Sequence, residues 1–413
     1  MRLTCSEKDL LSGKEGPVKA LAMSHLVKLG EAFDAEEMVD ITYAHMSSGS
    51  ALRSGEIDYL SGLSDQGARV KVPTSSEVIA VDLRDPAAIG APPSLVKDYR
   101  RLLAVHTRMG IAATYTCVPF TQGYVPPKGA CIASMESAAI IYFNAVLGAR
   151  TNRCGFFVLF AALTGKYPKI GYLLDKNRLG THLVSVQTNL LNVTDYGALG
   201  YHVGRLVGGG VPVFQGLERP RQEELIMLGA GLATSGTVAM YHIPGITPEA
   251  PTTAAALGGE APGERISVNT GDIQAVYQHL CTASHNTVDF IYLGCPQYTL
   301  EQIRTAADLL TGKRVHPDTT LWIGTNRMAF AMARRMGYHE IIKKAGGKLV
   351  CDTCPVDSFL RLDALKKRGI QQPAVQTMLT DSAKQAHYAR TTLGCNTLVD
   401  TVHACIQTAV RGK

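Results

Sequence analysis

Tryptophan occurs once in the 413 residues, aromatic side chains make up 7% of them, and charged side chains only 18%. The 41 Lys and Arg residues, set against 35 Asp and Glu, are scattered and form no basic run interleaved with aromatics. The formal charge of +6 therefore carries no nucleic-acid footprint. A mild positive surplus suits an anionic small molecule equally well. The best apolar run, Gly155–Leu163, falls well short of the roughly 20 residues that span a bilayer, so no membrane segment is expected. The opening MRLTCSEKDLLSGKEG has no apolar core behind Arg2 and does not read as a signal peptide, which makes the cytoplasm the expected compartment. There is no Walker A motif, and GAGLATSG (229–236) misses the G-x-G-x-x-G spacing, so a nucleotide-phosphate cradle is not expected.

What is present points to a globular enzyme. Hydrophobic residues reach 46%, and 40 glycines and 19 prolines imply many tight turns and close backbone approaches. The length suits two or three domains. Ten cysteines without an export signal should be reduced thiols, used as packing groups or metal ligands rather than disulfides.

Residues 5–35 read as helices. Val70–Pro73 and Val78–Val81 read as strands joined by the loop PTSSE, and an amphipathic helix Leu95–Met109 leads into a strand, IAATYTC, ending at Cys117. A helix is expected from about Ser134, as N-cap, to Leu147, with Glu136 in its first turn. LGAGLATSGTVAMYHI reads as a turn entering a strand, and the Pro/Gly/Ala/Thr-rich stretch Pro244–Glu264 as a linker. Beyond it, strand DFIYLGC, helix Leu300–Leu310, strand TLWIG, helix Arg327–Met336 and strand GKLVCDTC alternate. The fold class is therefore α/β with mostly parallel sheet.

Cys117, Cys295 and Cys354 each close an apolar run and each is followed within two residues by proline: TYTCVPF, IYLGCPQ and LVCDTCPV. Ligands in open α/β sheets gather outside the carboxyl ends of the strands, so three such cysteines can converge. Three thiolates without a regular fourth protein ligand suit an iron–sulfur cluster with one iron open to substrate, and the spacing is unlike the paired knuckles of a zinc ribbon. Three other readings stand beside this one. Each cysteine can be a buried filler, Cys351 and Cys354 form a C-x-x-C that can act as a redox dithiol, and the cysteines can belong to a non-catalytic zinc or small-molecule binding protein. Nearby polar candidates are His45, Ser47 and Ser48 in YAHMSSGS, Thr74 in PTSSE, Glu136 and Ser137 at the helix start, Asn152 and Arg153 after its end, and Ser382 and Lys384 in TDSAK. An Arg with helix N-terminal amides and hydroxyls suits a carboxylate or phosphate, although Ser and Thr there are more often caps.

With TYTCVPF, SMESAAIIYFNAVLGARTNR, LGCPQ, DTCPV and TDSAK, the chain resembles the aconitase X family, collinearly from VKLGEAF to TDSAK. The resemblance implies an aconitase-like multi-domain core with the cluster site at the strand carboxyl ends between domains. Residues 1–243 would hold the first two domains, 244–264 the linker and 265–413 the third. It implies a hydro-lyase dehydrating a small hydroxy acid, cis-3-hydroxy-L-proline or mevalonate 5-phosphate, at an iron–sulfur cluster held by Cys117, Cys295 and Cys354. Glu136, Ser382 and Lys384 would be catalytic. His45, Ser47, Thr74, Ser137, Asn152 and Arg153 would bind substrate. A separate small subunit carrying the swivelling domain is the expected partner. Gln297 stands where the family has His after GCP, Phe120 where Tyr is usual, and Cys154 follows TNR. The stretch LTGKYPKIGYLLDKNRLGTHLVSV resembles the bacterial members of the family, and that resemblance implies cis-3-hydroxy-L-proline rather than the phosphorylated substrate.

Overall fold

The structure, a computed structural model, describes residues 1–47, 54–284 and 287–412. Ser48 lies outside the described residues. Three parallel sheets and one short antiparallel pair organise the chain. The largest sheet holds five parallel strands in the order Lys348–Val350, Thr320–Thr325, Phe290–Tyr298, Thr377–Thr380, Asn396–Val399. All nine residues of its central strand are buried, which is why that segment is apolar without alternation. Helix Leu300–Leu310 begins on a capping box between Thr299 and Gln302 and turns Ile303, Ala306, Ala307 and Leu310 into the core.

A second parallel sheet pairs Ala44–Met46 with Thr74–Ser76 and Ala133–Ser134. A third orders Pro212–Gln215, His182–Val186 and Glu264–Val268. Met38–Asp40 pairs antiparallel with Lys166–Pro168.

Several sequence expectations are corrected here. Within PTSSE, expected as a loop, Thr74–Ser76 is the strand, and the flanking apolar segments are irregular. Tertiary pairing wins over hydrophobicity, because Ala44–Met46 offers a full parallel register and the serine hydroxyls are satisfied internally. IAATYTC is no strand. It makes one bridge, Ser75 to Ala112, before Tyr115 turns left-handed at φ 43°. The helix expected from Ser134 starts at Ser137. Ser134 belongs to a strand, and the cap is Glu136, whose carboxylate accepts from the Ala139 N–H at 2.6 Å. The strand of GKLVCDTC ends at Val350.

LGAGLATSG is the end of helix Gln222–Gly236, not a turn. Its glycines serve contact with helix Val193–Val207: a Cβ on Gly236 would lie 1.9 Å from the Gly204 carbonyl oxygen, and one on Gly200 2.2 Å from that of Leu228. The Pro244–Glu264 stretch carries the short helix Thr253–Ala256 and buries Ala250, Ala256 and Leu257 against Leu183 and Val213.

Candidate active site

The five-stranded sheet reverses its order beside the central strand Phe290–Tyr298. Its chain-order neighbour Thr320–Thr325 lies on one side and the later strand Thr377–Thr380 on the other. That is the switch point at which open α/β sheets leave a crevice outside the strand carboxyl ends. The central strand delivers Cys295 there, and Thr377–Thr380 runs directly into Asp381, Ser382 and Lys384.

Cys295 does not end its strand; it sits in an irregular stretch inside it. Register with Thr320–Thr325 holds to Leu293 and resumes at Tyr298. Gly294, at φ 120°, lets the two backbones approach, since a Cβ there would lie 2.3 Å from the Gly324 oxygen. The bulge frees Cys295 from the ladder. Burial pushes its thiol up to about 12; Lys384 and a hydrogen bond from Ser382 pull the other way. Ser382 also caps helix Ala383–Thr392, accepting from the Gln385 N–H at 3.2 Å.

Cys117, in irregular chain ahead of the turn Pro119–Gln122, accepts the Gln297 N–H at 3.4 Å. Cys354 lies four residues past its strand, and its thiol donates to Asp357 at 3.7 Å. Burial raises both thiols well above the ordinary value. Each also feels Cys295, Cys354 feels Cys117, and Tyr292 feels all three, so the three sulfurs share one neighbourhood. Cys351 goes elsewhere: it is wholly buried in the core behind the sheet, its thiol raised by burial and by Asp82 and Asp352. A redox dithiol needs one thiol pulled down, and neither member of C-x-x-C is.

Beside the sulfurs lies a buried ion pair. Lys384 Nζ donates to Glu136 at 2.5 Å and to Ser137 Oγ at 3.5 Å. Burial works against the ammonium, but Glu136 with Cys295 and Cys117 holds its pKa well above the ordinary value, so it stays charged. His45, from the sheet strand facing Ser134, shares a 2.7 Å hydrogen bond with Ser75. Burial lowers it to about 4 against the pull of Glu136, and it is neutral at pH 7.

Of the remaining candidates, Ser47 lines a 530 Å³ apolar cavity with Met46, Tyr59, Met135 and Phe156. Thr74 spends its hydroxyl on the Val72 carbonyl. Asn152 holds the 170–172 turn, donating to the Ile170 carbonyl and accepting from the Tyr172 N–H. Arg153 is exposed, its backbone bridging Ser134. The departures Gln297 and Phe120 are absorbed internally. Gln297 accepts from Thr116 Oγ1 at 2.6 Å, and Phe120 stacks on Tyr142 with centroids 3.8 Å apart.

Two carboxyls that sequence reading passed over complete the cleft. Asp357 accepts from Cys354, and Glu77 follows the Thr74–Ser76 strand, its N–H donating to the Met46 carbonyl at 2.8 Å. Burial raises both; Glu136 adds to each and Asp357 adds to Glu77, while Lys384 opposes in both and Arg361 opposes at Asp357. Only the PTSSE loop with its acidic end, beside a candidate strand, signalled Glu77 in the sequence.

Family models described as the first, second and third domains of aconitase X match residues 1–176, 180–278 and 288–411. The chain is 37% identical over 398 residues to the phosphomevalonate dehydratase large subunit of Methanothermobacter thermautotrophicus, covering 96% of this chain and 95% of that protein. It is 33% identical over 417 residues to the cis-3-hydroxy-L-proline dehydratase of Pseudomonas aeruginosa, covering 100% of this chain and 70% of that protein. The crystal structure of Thermococcus kodakaraensis aconitase X in its holo-form superposes with a TM-score of 0.87 at 32% identity, over 99% of this chain and 100% of that one. The chain belongs to the aconitase X family of dehydratases.

Proposed function

We propose that this chain is the large subunit of an iron–sulfur-dependent hydro-lyase that dehydrates cis-3-hydroxy-L-proline and works with a separate small subunit. Cys117, Cys295 and Cys354 would hold the cluster. Two buried thiols, Cys295 and Cys354, and the half-buried Cys117, all with ionisation opposed by desolvation, suit a metal group that compensates thiolate charge on binding. Among the described residues no three Cys, His, Asp or Glu side chains surround one point as ligands of a single metal ion. When bound, such a cluster supplies a Lewis-acid iron for the leaving hydroxyl.

The charge balance of the cleft carries the substrate reading. Glu77, Glu136 and Asp357 face one lysine, Lys384, which Glu136 already pairs. The nearby cation Arg361 is paired with Asp363. Glu77 and Asp357 are raised towards the neutral form and Glu136 is paired with Lys384, so a phosphate would meet no free cation there among the described residues, which favours the substrate without a phosphate. The second reading, mevalonate 5-phosphate, is favoured by the 37% identity to the Methanothermobacter thermautotrophicus protein of that name. The partner is supported by the words "large subunit" in that relative's name.

The deciding experiment purifies the chain anaerobically with and without its small subunit and assays both substrates. We expect brown protein, turnover of cis-3-hydroxy-L-proline by the pair and almost none by the chain alone. Colourless protein with stoichiometric zinc would overturn the cluster, and turnover of the phosphorylated substrate alone would overturn the substrate choice.

A further inference from the structure

Elimination of water from a hydroxy acid breaks one C–H and one C–O bond. The C–H electron pair becomes the new π bond, and the C–O pair leaves on oxygen. That oxygen must take up a proton to depart as water, and a positioned acid supplies it best. The acid must still hold its proton at working pH, must open into the cleft, and must not be tied to another group.

Three carboxyls stand at the cleft. Glu136 is committed: Lys384 donates to one oxygen and the Ala139 N–H to the other. Asp357 lies against the sulfur of Cys354, a proposed cluster ligand, and under the field of Arg361, which works against its holding a proton. The Glu77 side chain has no hydrogen bond or ion pair to any described residue and is half-buried. Its backbone is fixed by the parallel pairing of Thr74–Ser76 with Ala44–Met46 and by its own N–H bond to Met46, which holds it beside His45. The groups facing it are Glu136 from the start of helix Ser137–Ala145, Asp357 from the turn after Cys354, and Lys384 from helix Ala383–Thr392.

We propose that Glu77 is the catalytic acid that gives its proton to the leaving hydroxyl of the substrate. In the step, a base takes the C–H proton, the Glu77 O–H proton passes to the departing oxygen and water leaves; the proton on the base returns through solvent to the Glu77 carboxylate before the next turnover, so that one water is the net product. The inference rests on the dehydratase reading above. Burial, with Glu136 and Asp357 adding to it and Lys384 opposing, raises Glu77 well above the ordinary carboxyl value, so the proton is in place at neutral pH. A carboxyl kept neutral in this way is a donor, not only an acceptor.

The test uses Glu77→Gln and Glu77→Asp in the complex with the small subunit. Glu77→Gln should lower kcat by about 10²–10⁴-fold, the range of general acid catalysis, with KM and iron content unchanged. Exchange of the substrate's abstracted C–H with solvent deuterium should persist in Glu77→Gln while water elimination stops. The alkaline limb of the kcat–pH profile should disappear in the same variant, and Glu77→Asp should recover part of the rate. Undiminished kcat in Glu77→Gln, or loss of exchange together with elimination at full iron content, would overturn the role.

Infrared spectroscopy gives a readout independent of turnover. At pH 7 the wild type should show the carbonyl stretch of a protonated carboxyl that is absent in Glu77→Gln. If that band is missing, Glu77 does not carry the proton, whatever the enzyme dehydrates. If it is present but the wild type dehydrates no hydroxy acid, the reading of the function falls instead. Should Glu77→Gln melt early, the Glu77→Asp pH profile carries the decision: the alkaline limb must shift if Glu77 is the acid, and an unmoved limb overturns it.

Discussion

Cys351 and Cys354 stand three residues apart, yet they belong to two different regions. Cys351 ends in the packed core behind the five-stranded sheet, among Ile323, Leu349 and Leu379. Between them the chain passes Asp352 at φ 62°, whose carboxylate is bound by Arg327. Cys354 emerges beside Asp357, Cys295 and Cys117. Both thiols are buried and both are raised, so burial alone does not separate a filler from a site residue. What differs is the company: apolar side chains on one side, other sulfurs and titratable groups on the other.

The largest effect should come from replacing the cleft member of this pair. Cys354→Ser should abolish bound iron and visible absorbance. It should lower turnover at least ~10³-fold, since Lewis-acid stabilisation is worth several kcal/mol. Cys351→Ser should keep the iron and most of the turnover and lose only about 1–3 kcal/mol of stability, the cost of a buried hydroxyl without a partner. Iron analysis with urea titration checks both, and equal iron loss in the two variants would break the comparison.

A second contrast sets the Glu136–Lys384 pair in the cleft against the Arg327–Asp352 pair below it. Lys384 and Glu136 are nearly inaccessible, with side chains 10% and 4% exposed, whereas Arg327 is 38% exposed. Lys384→Met should therefore leave a buried carboxylate alone and cost about 3–5 kcal/mol. The double variant Lys384→Met/Glu136→Gln should recover much of that stability without recovering turnover. Recovery of both would show that the pair is a structural brace only.

A third comparison concerns the helices Val193–Val207 and Gln222–Gly236, which hold no site residue and depend on glycine for their contact. Gly231→Val places a side chain against the Gly197 oxygen, where a Cβ already comes to 2.3 Å. It should cost about 1–3 kcal/mol or more through overpacking, measured by thermal melting. Turnover per folded molecule should be retained. A melting point equal to that of the wild type would show that the helices can part.

The glycines also explain what could be read from the sequence. The βα alternation after residue 288 was legible, because its strands are apolar and its helices capped, and Leu300–Leu310 was located to the residue. In the first 240 residues the helices of 5–35 and Leu95–Met109 are legible, while two other segments mislead. A strand made of Thr74, Ser75 and Ser76 has no hydrophobic signature, and a helix rich in Gly229, Gly231 and Gly236 reads as a turn until its partner helix is known. The prolines mark three cysteines that the fold brings into one neighbourhood, though Cys117 ends no strand and Cys295 sits at a bulge. The Lys384–Glu136 contact spans 248 positions, and the isolation of Glu77 depends on what its neighbours already bind. Neither is written in any local pattern.

The smallest effect concerns two histidines that burial treats alike. His45, in the cleft, and His106, in the helix Pro93–Met109, are each lowered from 6.5 to about 4 by burial. Neither ring nitrogen of His106 has a hydrogen-bond partner among the described residues. Both histidines stay neutral in the folded chain between pH 6.5 and 4 while the unfolded chain takes up protons. The stability each contributes is complete above about pH 6.5 and is lost as pH falls towards 4. Asp381 works the other way. Burial raises it to about 6, so the folded chain binds its proton first, and its contribution grows as pH falls below about 6. His106→Leu should thus change stability little at pH 7 and gain about 2 kcal/mol at pH 5 relative to the wild type, with turnover at pH 7 unaffected. His45→Gln should show the same acid-side gain and lose turnover as well, because its ring bonds Ser75 beside Glu77. Urea titrations at the two pH values measure the difference. A gain from His106→Leu that is equal at pH 5 and pH 7 would mean that packing, not protonation, sets it.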